Sequence, residues 1–519
     1  MGFKTDERFI APRVKTTKEM LEEFAYLGEE KAFETVVENP NMIAGKAEEG
    51  FPPFEENAFY SADIEELIDK VNKKLKEKYG ENIPPECLER VERELSLLEN
   101  IEKNVYNLLI SSKLVGCAAD QGWTVGSRGS VASSFVAYLL GITGINPLEA
   151  HYYCPKCHYV EFHNEYYCGA DLEDKFCGCG AKLEKDGFTV PYETFFGTEG
   201  DREIDIDLNF PAEYQNEAFD RLEKVTGLKT VRCGSIGTVP YKTARAMVSR
   251  YCKKEGLTIG KKRMEAMVEK LSQVKMTSGI HPGGVFVIPE GKDIYDYTPI
   301  QYPADTREIL TTHFDYNALE GLLKVDLLPH DAPSLLKRLE EATGVDPKSI
   351  PLDDKETLKL FEERKTSGIP EFDSEFVLKR VMNKKKKYSF DDLIRISGLS
   401  HGTNTWTENG EELIAKGREF SDIVSCRDDV TLYLISRGLE RKEAFGISER
   451  VRKGRGMSPE QYDALLNRGV EKERLDSWNK IKYSFPRAHA AAYVLLAFRI
   501  AYYKAHFPQE FEKILKSFH

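Results

Sequence analysis

The segment Glu203-Ile-Asp205-Ile-Asp207-Leu-Asn-Phe210 constrains this chain more than any other stretch. Apolar and polar positions alternate, so it reads as a strand burying one face, and its polar face is acidic. Asp205 and Asp207 project together from that face, about 7 Å apart along the strand. Carboxylates this close raise each other's pKa unless positive charge lies between them. A divalent cation such as Mg²⁺, which takes one or two carboxylates plus phosphate oxygens, answers that need. So short a motif also reads as the solvated acidic face of an exposed strand.

Two further elements bear on the choice. Gly126-Ser127-Arg128-Gly129-Ser130 precedes a helix-like run, VASSFVAYLL. Small residues before a helix let backbone N–H groups approach an anion, and Arg128 adds a fork for phosphate oxygens. An ordinary capped Gly/Ser turn has the same composition. Lys324-Val325-Asp326 places another carboxylate at the polar position of an apolar strand, with a cation two residues earlier on the same face. Three strand-borne carboxylates, a Gly/Ser turn and a Lys are the parts of two-metal phosphoryl or nucleotidyl transfer, provided the fold brings them together.

Five of the ten cysteines crowd between Cys154 and Cys179. Cys154-Pro-Lys-Cys157 and Cys177-Gly-Cys179 form two knuckles suited to a tetrahedral structural Zn²⁺ with no open position. Cys168 is a spare thiol that could replace one ligand. Cys87, Cys117, Cys233, Cys252 and Cys426 read as small core residues. Such a cluster in a long Lys/Glu-rich chain implies metal binding in a reducing compartment, not a disulfide scaffold.

Around these motifs the chain alternates in character. Thr16 and Glu19 fit a capping box, Ile64, Leu67, Ile68, Val71 and Leu75 make one helical stripe ended by Gly80, and a third helix spans about Glu86–Lys113. GGVFVIP and LLKVDLL read as further strands, and the sequence after Pro333 as mostly helical. No apolar run approaches the roughly 18 residues of a membrane span, and the first ten residues lack a signal-peptide core. The net charge of −13 argues against nucleic-acid binding unless positive charge is concentrated locally.

In chain order GSRGSVASSF, CPKC, CGCG, PYETFFG, EIDIDLNF, TSGIHPGG, KVDLLPHD, SGLSHGT and FPRAHAAAYVLLAFRIAYYK follow. In these motifs the chain resembles PolC-type DNA polymerase III, the replicative C-family polymerase of low-GC Gram-positive bacteria. The resemblance covers nearly the whole chain and departs from the family at Pro329, where Gly is usual. It implies an α+β multidomain fold: a polymerase-beta-like nucleotidyltransferase palm with a zinc-ribbon insertion, a small inserted helical thumb and mostly α-helical fingers. The implied boundaries are palm 1–236 with the zinc-binding insertion at 151–190, thumb 237–282, second palm part 283–335 and fingers 336–519.

The resemblance also assigns roles. Asp205, Asp207 and Asp326 match the catalytic carboxylates that hold two Mg²⁺, with Mn²⁺ a possible substitute. Gly126, Ser127 and Arg128 fall on the phosphate-binding turn, Lys324 beside the third Asp, and His281 near the palm–thumb junction. Lys480, Lys482, Arg487, His489 and Tyr493 fall on the segment facing the incoming nucleotide, and His489 and Tyr493 are i, i+4 on one helix face. Arg427, Arg452, Lys453 and Arg455 are weaker contact candidates, each equally readable as a solvated basic face. The expected partners are primer-template DNA, dNTPs and other replisome subunits supplied in trans. No membrane partner is expected, and the expected location is the cytoplasm. The family's exonuclease, PHP and clamp-binding domains have no counterpart in this sequence, which leads to an expectation of distributive synthesis. A non-catalytic nucleic-acid-binding protein with the polymerase fold and an untemplated nucleotidyltransferase are the competing readings.

Overall fold

The computed structural model describes residues 14–46, 54–99, 101–200, 202–304, 306–382 and 385–518. The chain divides into two units, Met1–Glu55 and Glu56–His519. In the first, the helix Thr17–Glu23 starts with the capping box read from the sequence: Glu19 N–H donates to Thr16 Oγ1, and Thr16 N–H to Glu19 Oε2. Among its described residues only Ala32 is buried.

The second unit begins with the amphipathic helix Ile64–Tyr79, which buries Leu67, Val71, Leu75 and Tyr79 and ends at Gly80. The long helix expected next divides into Pro85–Leu98 and Glu102–Asp120, with Ile101 extended between them. One straight helix of that length would run about 40 Å, and the turn lets the two halves fold against each other while the second packs on the sheet strand that carries Asp326. No Gly or Pro marks the break, so the sequence hides it.

That sheet has seven strands: β1 (Gly126–Arg128), β5 (Asp207–Pro211), β6 (Thr230–Thr238), β7 (Lys275–Val287), β8 (Ile300–Gln301), β9 (Thr311–Thr312) and β10 (Leu323–His330). Their order is β1-β5-β10-β7-β6-β9-β8. The β5–β10 and β6–β9 pairs are parallel and the others antiparallel. Leu208, Phe210, Val285, Val287, Val325 and Leu327 join the core under the helices of residues 64–120. Between β6 and β7 the chain leaves the sheet as two helices, Tyr241–Lys254 and Lys261–Leu271, which share a small core of their own.

The cysteine-rich segment carries a separate sheet, ordered β3 (Val160–Phe162), β2 (His151–Tyr153), β4 (Glu184–Asp186). After β10 the described residues are mostly helical. The helix Arg487–His506 is buried on nearly every side, because Ala490, Ala491, Ala497 and Ala501 admit close neighbours. The architecture is therefore mixed α/β. Among the described residues, no helix is long and apolar enough to cross a membrane.

Candidate active site

Two adjacent parallel strands carry the acidic cluster. Asp326 on β10 stands directly opposite Asp207 on β5. Asp205 lies just outside the ladder, because β5 begins at Asp207, in an extended segment whose Ile204 and Ile206 point into the core. The expected strand therefore starts later than its alternation suggests. Carboxylate oxygens of the three residues all lie within 4.8 Å of one another. Burial is graded: Asp205 is exposed, Asp207 half-buried, and Asp326 only 3% exposed.

Lys324 Nζ sits 2.7 Å from Asp326 Oδ2 and over the Tyr316 ring. Burial works against its charge, but the Asp326 carboxylate outweighs it and holds the ammonium pKa above its ordinary value. Asp326 Oδ1 is buried and makes no hydrogen bond. The nearest ring nitrogen, His281 Nδ1, is 3.8 Å away and accepts from Gly284 N–H at 2.6 Å. Loss of water, then the Asp326 charge, raises the Asp205 carboxyl. One cation cannot balance three carboxylates, and the hard oxygen donors together with the orphaned Oδ1 fit Mg²⁺ or Mn²⁺.

The glycine-rich turn flanks this cluster as an edge strand. β1 pairs with β5 so that Gly126, Ser127 and Arg128 oppose Asn209, Leu208 and Asp207. The side chains of Ser127 and Arg128 lie outside the described residues. A Cβ on Gly129, whose φ is 102°, would lie 3.6 Å from Asp207 Oδ2 and 3.7 Å from His489 Nε2. The positive φ, rather than lack of space, is what calls for glycine at this point beside the carboxylate and the imidazole.

The helix after the turn is a correction. It spans only Phe135–Leu139, after a 3₁₀ turn, and its N-terminus is filled from within. Glu94 accepts from Ser134 Oγ and from the N–H groups of Phe135 and Val136, and pairs with Arg90. Those amides are not available to a phosphate.

The C-terminal candidates separate. His489 and Tyr493 lie on the helix Arg487–His506 beside Phe485, whose ring meets His489 edge-on and stacks on Tyr493. Arg487 is fully buried: it donates to Phe188 O, Tyr167 O and Asp391 Oδ1, and its own N–H reaches Asp428. Its guanidinium cannot meet a nucleotide, which corrects the expected role. Lys480 pairs with Glu412 and donates to Glu408 O. The Lys482 side chain is exposed. Arg427, Arg452 and Lys453 converge on Glu449. Burial opposes the Glu449 charge, yet the Arg452 hydrogen bond and Arg427 hold its carboxyl down at about 2. Arg455 is exposed.

The thiols form the second cluster. Cys154 Sγ is 3.5 Å from Cys179 Sγ, Cys157 Sγ is 3.4 Å from Cys177 Sγ, and all four lie within 4.8 Å. The Cys157 N–H aimed at Cys154 Sγ lowers that thiol, while, against the Tyr159 backbone hydrogen bond, hydrogen bonding to Cys177 and Cys154 pushes the Cys157 thiol up, so without a cation the four sulfurs share little stabilised thiolate. Cys168 is not the alternate ligand. It lies fully buried in the helical core with Phe188, where burial pushes its thiol well up.

Comparison with known proteins gives this arrangement a lineage. The pattern described as the bacterial DNA polymerase III alpha NTPase domain matches residues 65–261 and 254–329, and that of the alpha subunit finger domain matches residues 330–474. The chain belongs to the bacterial DNA polymerase III alpha family. A DNA polymerase III PolC-type of Caldanaerobacter subterraneus is 45% identical over 98% of this chain and 38% of its own length. The namesake from Staphylococcus haemolyticus is 44% identical over 95% of this chain and 36% of its own. The chain thus spans a little over a third of the length of these curated relatives.

Two features of this family member escaped the motif reading. Residues 239–275, which include the helical hairpin between β6 and β7, carry ten Lys and Arg against three Glu, so an acidic chain holds a strongly basic projection. A windowed charge count would have found it. Tyr316 and Asn104 approach the acidic cluster with no local signature at all.

Proposed function

We propose that the chain is the core of a DNA-templated DNA polymerase, adding deoxynucleotides to a primer 3′-hydroxyl with release of pyrophosphate. The observation that carries this reading is the register that sets Asp326 opposite Asp207 on neighbouring strands, with Asp205 two residues away. In this reading the seven-stranded sheet is the palm, the basic hairpin within 237–282 the thumb, and the helices of 336–519 the fingers.

Asp205, Asp207 and Asp326 would hold two Mg²⁺. Bound there, the ions would acidify the primer hydroxyl and offset charge on the α-phosphate and the leaving pyrophosphate. Lys324 fixes Asp326 through one oxygen and leaves the other free to ligate. Asp207 Oδ2 and His489 Nε2 both lie beside Gly129, so the ring stands where a nucleotide phosphate held at the carboxylates would lie. The basic hairpin supplies phosphate contacts along a primer-template duplex. The four clustered thiols would hold a structural Zn²⁺.

Primer extension on a defined template tests the reading. Wild-type protein should add the complementary dNTP in Mg²⁺, and Asp207→Asn should lose at least about 10³-fold in rate. Equal incorporation by both proteins, or none by wild type at any salt concentration, would remove the assignment.

A further inference from the structure

Asp205 is the one carboxylate of the cluster whose backbone is outside the sheet, so something other than a strand must hold it. The backbone of the segment before β5 is tied to the helix Glu102–Asp120 by an amide side chain. Asn104 Nδ2 donates to Arg202 O at 3.1 Å, and Ile204 N–H donates to Asn104 Oδ1 at 3.0 Å. These two backbone groups flank Glu203 on one edge, as the two bonds of a neighbouring strand would. Asn104 is 2% exposed, and a buried amide without partners is costly, so these bonds fix the side chain as firmly as it fixes the segment.

The adjacent Lys103 adds a second tether. Its Nζ is 2.6 Å from Glu203 Oε1 and 2.9 Å from Glu320 O, in the turn leading into β10. The register matters because the segment has period two. Ile204 and Ile206 are buried and Asp205 faces out, and a slip of one residue would exchange them.

We propose that Asn104 is a positioning residue for the divalent-ion centre: it substitutes for a missing strand and thereby presents the Asp205 carboxylate to Asp207 and Asp326. The inference rests on the metal-binding role of the carboxylates given above. It separates from the polymerase assignment because ion binding can be read without turnover.

The test titrates the full chain with Mn²⁺ alone, following free Mn²⁺ by electron paramagnetic resonance, and runs Mg²⁺-dependent primer extension in parallel. Asn104→Ser should weaken Mn²⁺ binding and lower kcat by about tenfold, the usual cost of losing a group that orients a ligand, while primer-template affinity stays within about twofold. In an Asp205→Asn background the same change should cost nothing further, because its effect passes through Asp205. Unchanged Mn²⁺ affinity, or a full additional loss in the Asp205→Asn background, would overturn the proposal. Should Asn104→Ser fail to fold, Lys103→Met should shift Mn²⁺ affinity in the same direction by about twofold, and no shift there would also overturn it. An inactive wild type whose Mn²⁺ affinity still depends on Asn104 would sink the polymerase reading and leave this one standing.

Discussion

The acidic cluster and the thiol cluster each bring ligand atoms within 4.8 Å, but they do so by opposite means. The four thiols come from two nearby knuckles, over a core of little more than Ala150, Tyr152, Leu172 and Leu183. Besides that core, a small three-stranded sheet and the knuckles' own backbone hydrogen bonds hold the four sulfurs together. The carboxylates stand at the end of a seven-stranded sheet, where Asp326 and Asp207 are fixed by ladder register and Lys324 neutralises part of their charge. On the proposed reading, a metal would complete the fold at the first cluster, whereas at the second the fold would prepare the metal site. Chemistry requires the second kind, because ions that arrive with substrate need a cage that persists without them.

The largest effect should come from stripping the thiol site. Small structural zinc modules owe on the order of 10 kcal/mol of folding free energy to their ion. Chelation is therefore expected to abolish amide exchange protection in 151–190 while protection of β5 and β10 stays near its original level. Retained protection across the thiol knuckles would break the comparison. Next comes Asp207→Asn, with a rate loss equivalent to about 4 kcal/mol or more. Thermal stability should be unchanged or higher, since one of three repelling charges has gone. A variant that instead unfolds would mean that the carboxylates, like the thiols, hold their own scaffold.

The difference between the clusters also decides what could be read from sequence. The thiol cluster was legible because its spacing is local, and Cys168 was excluded only by three-dimensional packing. The alternation at 203–210 disclosed which side chains face out. It was silent on what pairs with the backbone, and the partner of the segment holding Asp205 is a side chain from a helix a hundred residues earlier. β6 went unseen because Gly, Cys and Ser interrupt its apolar pattern, although Gly234 is required there: a Cβ would lie 2.1 Å from Thr312 O. Basic residues at and before the C-terminal helix resembled a phosphate site since their neutralising partners, Asp391 for Arg487 and Glu412 for Lys480, are remote in sequence.

Arg487 joins the two halves of the comparison. It ties the helix carrying His489 and Tyr493 to Phe188 O and Tyr167 O, on the segment that bears the thiols. Arg487→Met leaves Asp391 buried beside Arg395 alone and removes both carbonyl contacts. The expected cost is about 3 kcal/mol of stability, measured by denaturant melts, with dNTP KM in the surviving folded protein rising less than tenfold. A pure KM effect without destabilisation would restore the guanidinium to the nucleotide site.

The smallest effect concerns a pair in neither cluster. His401 Nε2 lies 2.5 Å from Glu371 Oε2, and its ring packs on Phe485 beside Tyr493. The Glu371 hydrogen bond raises the imidazole pKa against the opposing effect of burial. A folded-state value above the unfolded one means that the native protein binds the proton more tightly. The stabilisation is fully present below about pH 6.5, the unfolded value, and is lost as pH rises through the folded one. Wild type should therefore melt above Glu371→Gln in mild acid, and the gap should close in mild alkali. Because the pair belongs to neither the thiol nor the carboxylate cluster, chelating the thiols or replacing Asp207 should leave that pH trend in place. A gap that widens with pH would reverse the sign of the argument, and one that vanishes on chelation would show that the thiol module governs the aromatic cluster as well.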